Sequence, residues 1–145
     1  MEVKLREIDR STWEQCCDLR VSVPQREFVA SNAYSLAQAA YEPDTYPMGI
    51  FCDGALVGFI MWDFDLETGG WELTRFMVDE KQQKKGIGEA ALRELLNLVT
   101  KKRGHIMFYT SAHPDNAVAI GLYEKLGFRK NGRIAYDEVV LEKQL

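Results

Sequence analysis

The sequence predicts an α/β (α+β) domain with a mixed, largely antiparallel central sheet of six to seven strands flanked by about four helices. Three observations carry this expectation. Hydrophobic periodicity along the 145 residues runs in the order β-α-α-β-β-β-α-β-α-β-β. Asp53-Gly54, set between two apolar runs, suits a type I′ turn and is the clearest hairpin signal in the chain. Two later helix–strand units follow these antiparallel hairpins, which calls for a mixed sheet with helices on both faces. The length fits one domain over residues 1–145.

The elements follow in order. Val3–Ile8 alternates apolar and polar residues, as a half-buried strand does. Ser11-Thr12-Trp13-Glu14 has the form of a capping box, opening a helix to about Arg20 that Pro24 ends. Ser31–Tyr41 is a second helical stretch, with Ser31 or Asn32 as its cap and Pro43 and Pro47 closing it. Gly49–Cys52 and Ala55–Trp62 flank the hairpin turn, and Gly69-Gly70 makes another turn before the strand Trp71–Val78. Gly86–Lys101 places Ile87, Ala91, Leu95, Leu98 and Val99 on one helical face. Ile106–Ser111 reads as a strand, and Asp115 or Asn116 to Leu126 as a helix stopped by Gly127. Phe128–Arg129 and Asp137–Glu142 are the closing strands.

Composition narrows the function classes. The net charge of −4 hides an asymmetry. Residues 1–72 carry 5 basic and 13 acidic side chains (net −8), and residues 73–145 carry 13 and 9 (net +4). The overall sign argues against a dedicated nucleic-acid binder. The split leaves room for two ligands of opposite charge. No apolar run approaches the roughly 20 residues that span a bilayer. The charged N-terminus does not read as a signal peptide, so no membrane partner is expected. Three cysteines, two of them adjacent (Cys16 and Cys17), do not form a disulfide framework and fit a reducing cytoplasm. Cys52, beside the hairpin turn, is expected to be a buried thiol. Two histidines without a CxxC motif give no zinc site, so no metal is expected.

The segment that carries chemistry is Gln83-Lys84-Lys85-Gly86-Ile87-Gly88, which joins a strand to an amphipathic helix. Two glycines let the backbone turn tightly and approach a ligand. The helix start offers unpaired N–H groups and the positive end of its dipole, and Lys84 and Lys85 add charge, so the segment suits an anion such as phosphate. A Walker A loop is absent. Gly86-Ile87-Gly88-Glu89-Ala90-Ala91 meets the loose dinucleotide pattern. However, Asp79–Lys85 intervene after the strand, and no acidic residue stands at the end of the next one.

These residues carry a family resemblance. Gln83-x-x-Gly86-x-Gly88 after Arg75-Phe76-Met77-Val78-Asp79 resembles the acetyl-CoA signature of the GNAT superfamily of N-acetyltransferases. Asn116…Leu122-Tyr123-Glu124-Lys125-Leu126-Gly127-Phe128 is similar to its second signature. The two blocks stand in the expected order, and the resemblance covers essentially the whole chain. Phe28–Ala37, with Tyr41-Glu42-Pro43 and Tyr46-Pro47, is similar to bacterial spermine/spermidine (diamine) N-acetyltransferases of the Blt type.

The resemblance implies a GNAT-type sheet and an acetyl-CoA-dependent enzyme that acetylates a primary amine, with a small polyamine or diamine as acceptor. Peptide or protein amines, amino-sugar antibiotics, and a non-catalytic CoA-binding module are the alternatives. Gln83, Lys84, Lys85, Gly86, Ile87 and Gly88 would hold the pyrophosphate. Phe76, Met77 and Val78 would pair with the pantetheine arm, and one of their N–H groups could polarise the thioester carbonyl. Asn116 and Tyr123 lie seven residues apart on one helical face, which in the family looks toward the sulfur. Tyr123 is the implied acid for the departing thiolate. Glu72, eleven residues before Gln83, stands where histone acetyltransferases place a catalytic glutamate and where polyamine-like relatives usually carry an aromatic. It is a base, a cation-binding carboxylate or a solvated strand residue. His113 stands where an acidic residue is common, and reads as a loop-surface histidine or a base. Glu27, Asn32, Tyr34 and Ser35, and more weakly Glu42, are implied at the acceptor site. Sequence leaves a homodimer open.

Overall fold

A computed structural model describes residues 1–145. Seven strands form one sheet in the order β1-β2-β3-β4-β5-β7-β6. They are β1 (Val3–Glu7), β2 (Thr45–Cys52), β3 (Ala55–Asp65), β4 (Gly70–Val78), β5 (Met107–Ala112), β6 (Arg129–Ala135) and β7 (Glu138–Gln144). The helices are α1 (Trp13–Asp18), α2 (Asn32–Tyr41), α3 (Ile87–Arg103) and α4 (Ala117–Lys125). Every strand pair is antiparallel except β4 with β5. No helix is long and apolar enough to cross a membrane.

The apolar run of β3 is buried on both faces. Leu56, Phe59 and Met61 pack toward α1 and α2, with Cys16, Val21 and Met77. Val57, Ile60 and Trp62 join Ile87, Leu92, Leu95 and Val99 of α3 on the other face. Tyr123 of α4 and Leu126, the residue that ends it, complete that second cluster with Phe108 and Phe128. Asp53 (φ 50°) and Gly54 (φ 86°) are both left-handed, as a type I′ turn requires.

Three boundaries and one burial differ from the sequence expectation. The capping box does not form. Asp9 Oδ1 instead accepts from the Ser11 N–H (2.8 Å) and hydroxyl (2.7 Å), and α1 starts after Thr12 without a side-chain cap. Ser31 does cap α2, accepting from Tyr34 N–H at 3.1 Å. Pro47 lies inside β2, one residue past the last β1 partner, Met48, where no neighbouring strand on that side needs its missing N–H. β6 extends to Ala135 because its hairpin with β7 supplies ladder partners to a polar segment that shows no apolar alternation. Cys52 is half-buried, not fully buried.

The pairing of β4 with β5 is short. It spans only Glu72–Tyr109 and Leu73–Thr110. On its other edge β4 carries a bulge: Met61 pairs with Arg75 and Trp62 with Leu73, which leaves Thr74 as the extra residue. Beyond it β4 runs on to Val78 without a partner on the β5 side, and α3 and α4 start past the ends of these two strands.

At Gly58 the β3–β4 pair leaves no room for a side chain. A Cβ there would stand 2.6 Å from the Met77 carbonyl oxygen. Gly58→Ala should therefore lower stability by about 1–3 kcal/mol, an overpacking cost that backbone cannot relax away. Urea denaturation checks it, and an unchanged midpoint would mean the strands separate freely here.

Candidate active site

Two cavities open where β4 and β5 diverge. The first, about 430 Å³, is a groove lined by β4 residues Phe76, Met77 and Val78, by Gln83, Lys84, Gly86, Ile87 and Gly88, and by Asn116. Gly86 (φ 81°) caps α3 in a left-handed conformation, and Lys84 is left-handed too (φ 64°). The first bond of the helix runs from Ala90 N–H to Gly86 carbonyl at 3.2 Å, so the amides of Ile87, Gly88 and Glu89 precede it. A Cβ on Gly88 would stand 3.2 Å from the Phe76 ring. Glycine there keeps the backbone close to the groove floor.

The Gln83 side chain braces the loop instead of reaching outward. Its Nε2 donates to Val78 carbonyl and to Gln25 Oε1, both at 2.9 Å. Asp79 Oδ1 accepts from Arg20 N–H at 2.9 Å and ties the same turn to the end of α1. Lys85 does not line the groove; its Nζ donates to Gln82 Oε1 at 3.1 Å. Of the two lysines, only Lys84 faces the groove.

The second cavity, about 670 Å³, is walled by the α1–α2 connection, β3, β4, β5 and the β6–β7 turn. It is lined by the carboxyl groups of Glu27, Asp63, Asp65, Glu72 and Glu138, against the single guanidinium of Arg75. Tyr34, His113 and Tyr123 also face it. Phe28, Val29, Phe76, Asn116 and Ala119 line both cavities and mark their junction. The outer wall is clasped. Tyr136 hydroxyl donates to Asp65 Oδ2 at 2.7 Å, and Arg133 donates to the carbonyls of Thr68 (3.1 Å) and Glu67 (2.8 Å). Gly69 lies so close to the Tyr109 ring that a Cβ would meet it at 2.6 Å.

Tyr123 is 6% exposed, and burial pushes its hydroxyl up to about 12, which keeps it protonated at neutral pH. The Thr110 hydroxyl beside it works the other way. Asn116 caps α4, accepting from Ala119 N–H at 3.3 Å. Both residues line the second cavity, as their shared helical face implies. Glu72 is 4% exposed, so it is not a solvated strand residue. It pairs across the ladder with Asp63. Burial first, then the neighbouring Asp63 carboxyl, push Glu72 up to about 10, and burial raises Asp63 as well. The two carboxyls therefore hold a proton between them at neutral pH.

Glu27 and Tyr34 stand on the second cavity as the resemblance implies, whereas Asn32 and Ser35 do not. Asn32 is buried, and its Nδ2 donates to Cys16 carbonyl at 2.9 Å, so it joins α2 to α1. Ser35 Oγ donates to Ser31 carbonyl at 3.2 Å within the same helix turn. Glu42 caps the end of α2 away from both cavities. His113 is an exposed loop residue, as expected, and it also borders the second cavity. Its Nδ1 accepts from Asp115 N–H at 3.1 Å, and its ring lies 5.3 Å from that of Phe28. Sequence reasoning missed Asp63, Asp65, Arg75 and Glu138. Asp63 had a signal: it follows the longest apolar run and faces Glu72 once the Gly69-Gly70 hairpin is paired.

The same architecture recurs in known proteins. The acetyltransferase AAC(6')-Ib, solved with coenzyme A, superposes with a TM-score of 0.79 at 21% identity, covering 99% of this chain and 95% of that one. The PaiA N-acetyltransferase of Thermoplasma acidophilum, also solved with coenzyme A, gives 0.74 at 20% identity over both full chains. In sequence, the chain is 30% identical to the spermine/spermidine N(1)-acetyltransferase of Bacillus subtilis (strain 168) across 100% of both chains. It is 27% identical to the N-alpha-acetyltransferase RimI of Mycobacterium tuberculosis over 90% of this chain and 80% of that one. Residues 5–128 match the Acetyltransferase (GNAT) family. The chain belongs to that family and is an acetyl-CoA-dependent N-acetyltransferase.

Proposed function

We propose that the acceptor is a small aliphatic polyamine or diamine. The observation that carries this reading is the second cavity, with five carboxyl groups against one guanidinium and a junction with the groove at Phe76 and Asn116. Such a wall attracts a polycationic amine and disfavours an anionic one. The full-length similarity to a spermine/spermidine acetyltransferase supports it.

In this reading the groove takes acetyl-CoA, the donor substrate. The amides at the start of α3 and the Lys84 ammonium meet its phosphates. The unpaired edge of β4 at Phe76, Met77 and Val78 offers backbone groups to the pantetheine amides. The acceptor enters as an ammonium with a pKa near about 10.4, so it must lose a proton before it reacts. Desolvation beside the thioester favours that loss. The free amine forms the new N–C bond at the acetyl carbon, the C–S bond breaks, and Tyr123 gives its proton to the departing thiolate; the nitrogen releases its proton to solvent, from which Tyr123 is reprotonated. Glu72 already holds a proton beside Asp63, so it is not poised to take one as a general base, and the pair together offers a cation one negative charge.

A thiol-release assay across spermidine, spermine, putrescine, lysine peptides, peptide N-termini and aminoglycosides tests the acceptor. Polyamines should give the highest kcat/KM, and turnover of peptides alone would overturn the reading. Tyr123→Phe should lower kcat by about 10²-fold, the usual scale for a lost acid, with the Kd for acetyl-CoA unchanged. Unaltered kcat would remove Tyr123 from that role.

The carboxyl pair has a second signature. Because the folded pKa of Glu72 lies above its ordinary 4.5, at about 10, its stabilising contribution is complete below 4.5 and is lost as pH rises through 10. The urea midpoint should thus fall from roughly pH 5 to roughly pH 9, and fall less in Glu72→Gln. Parallel profiles for the two proteins would show that Glu72 is ionised in the folded state.

A further inference from the structure

The five carboxyl groups of the second cavity are not equivalent. Asp65 already accepts from Tyr136 hydroxyl at 2.7 Å and Glu67 N–H at 2.9 Å. Glu138 Oε1 accepts from Ser111 hydroxyl at 2.8 Å. Glu27 lies in the connection between α1 and α2, at the mouth. Asp63 is different. It is 8% exposed and lines the cavity, yet its Oδ1 is fully buried with no donor. The buried Thr68 hydroxyl nearby also lacks a partner. The one cation in reach, Arg75, turns its Nη atoms elsewhere: Nη1 bonds Thr74 carbonyl (3.0 Å) and hydroxyl (3.1 Å), Nη2 bonds Gln38 Oε1 (3.1 Å), and the buried Nε has no partner. No ion pair reaches Asp63 or Glu72. The Asp63–Glu72 end of the cavity therefore holds an unpartnered buried acceptor and no ion pair. An alkylammonium supplies a donor and a positive charge, with three N–H groups and no acceptor.

Position adds a length to this chemistry. The cavity junction lies at Phe76, four residues along β4 from Glu72. At about 3.3 Å per residue that is roughly 13 Å of strand, shortened by the Thr74 bulge and by side-chain reach to on the order of 10 Å. A four-carbon diamine falls short of this span, and an eight-carbon diamine or a triamine matches it.

We propose that Asp63, paired with Glu72, anchors the remote ammonium of an extended aliphatic diamine or triamine whose other terminal nitrogen reacts at the cavity junction. Asp63 is thus a specificity-determining residue that selects acceptors by charge and length. This rests on the polyamine reading above and deepens it.

The matched pair octane-1,8-diamine and n-octylamine tests it, since the two differ by the remote nitrogen. The wild-type enzyme should favour the diamine at least tenfold in kcat/KM, mostly through KM, and should favour it over putrescine. Asp63→Asn should bring the diamine-to-monoamine ratio below about threefold. Titration calorimetry of the diamine into the enzyme–CoA complex should show at least tenfold weaker binding in the variant. A ratio near one in the wild type, or a tenfold preference kept by Asp63→Asn, would overturn the anchor while leaving the polyamine reading intact. Should the variant fail to fold, the wild-type ratio and length series still decide. Turnover of peptide amines with none of any polyamine or diamine would remove the polyamine reading and the anchor together.

Discussion

Everything at the site depends on β4 and β5 parting after two paired residues. A parallel pair held to its ends would bury its N–H and C=O groups in the ladder and leave no cleft. Here the ladder stops at Leu73 and Thr110, and the bulge at Thr74 turns β4 away. The separation exposes the edge of one strand and aims the starts of two helices into the gap. It also sets the two cavities end to end, with Phe76 and Asn116 at the contact. The core tolerates this because β3, buried on both faces, and α3 carry the packing elsewhere.

The groove was legible in the sequence because its geometry is local. Gly86 and Gly88 must stand two residues apart at a helix start, and Asn116 and Tyr123 must share one helical face, so linear spacing reports three-dimensional position. The second cavity was less legible because it is assembled across the sheet. Asp63 and Glu72 meet through hairpin register, while Glu138 comes from β7 and arrives by way of the sheet order. Asn32 and Ser35 misled for a related reason: small polar residues at a helix start serve the helix as readily as a ligand, and here both bond backbone carbonyls. The first-helix cap failed similarly, since Asp9 competes for Ser11 from only two residues away.

The charge asymmetry between the chain halves now has a spatial counterpart. The acidic half supplies Glu27, Asp63, Asp65 and Glu72 to one cavity, and the mildly basic half supplies Lys84 and the α3 start to the other. The correspondence is incomplete. Glu138 crosses from the basic half to the acidic cavity, and Arg75 sits within it. Halves of a sequence approximate surfaces here only because the cleft falls near the midpoint of the chain.

The clasp that joins Tyr136 and Arg133 to the β3–β4 turn has a thermodynamic consequence. Hydrogen bonds at Asp65, Glu67 and Thr68, and the close seat of Gly69 on Tyr109, hold the outer wall of the second cavity in place before any ligand arrives. The ordering entropy of binding then falls on the incoming molecule, because the receptor has little freedom left to lose. A limp acceptor must be straightened at its own expense, so a stiff one of equal length and charge starts with the advantage.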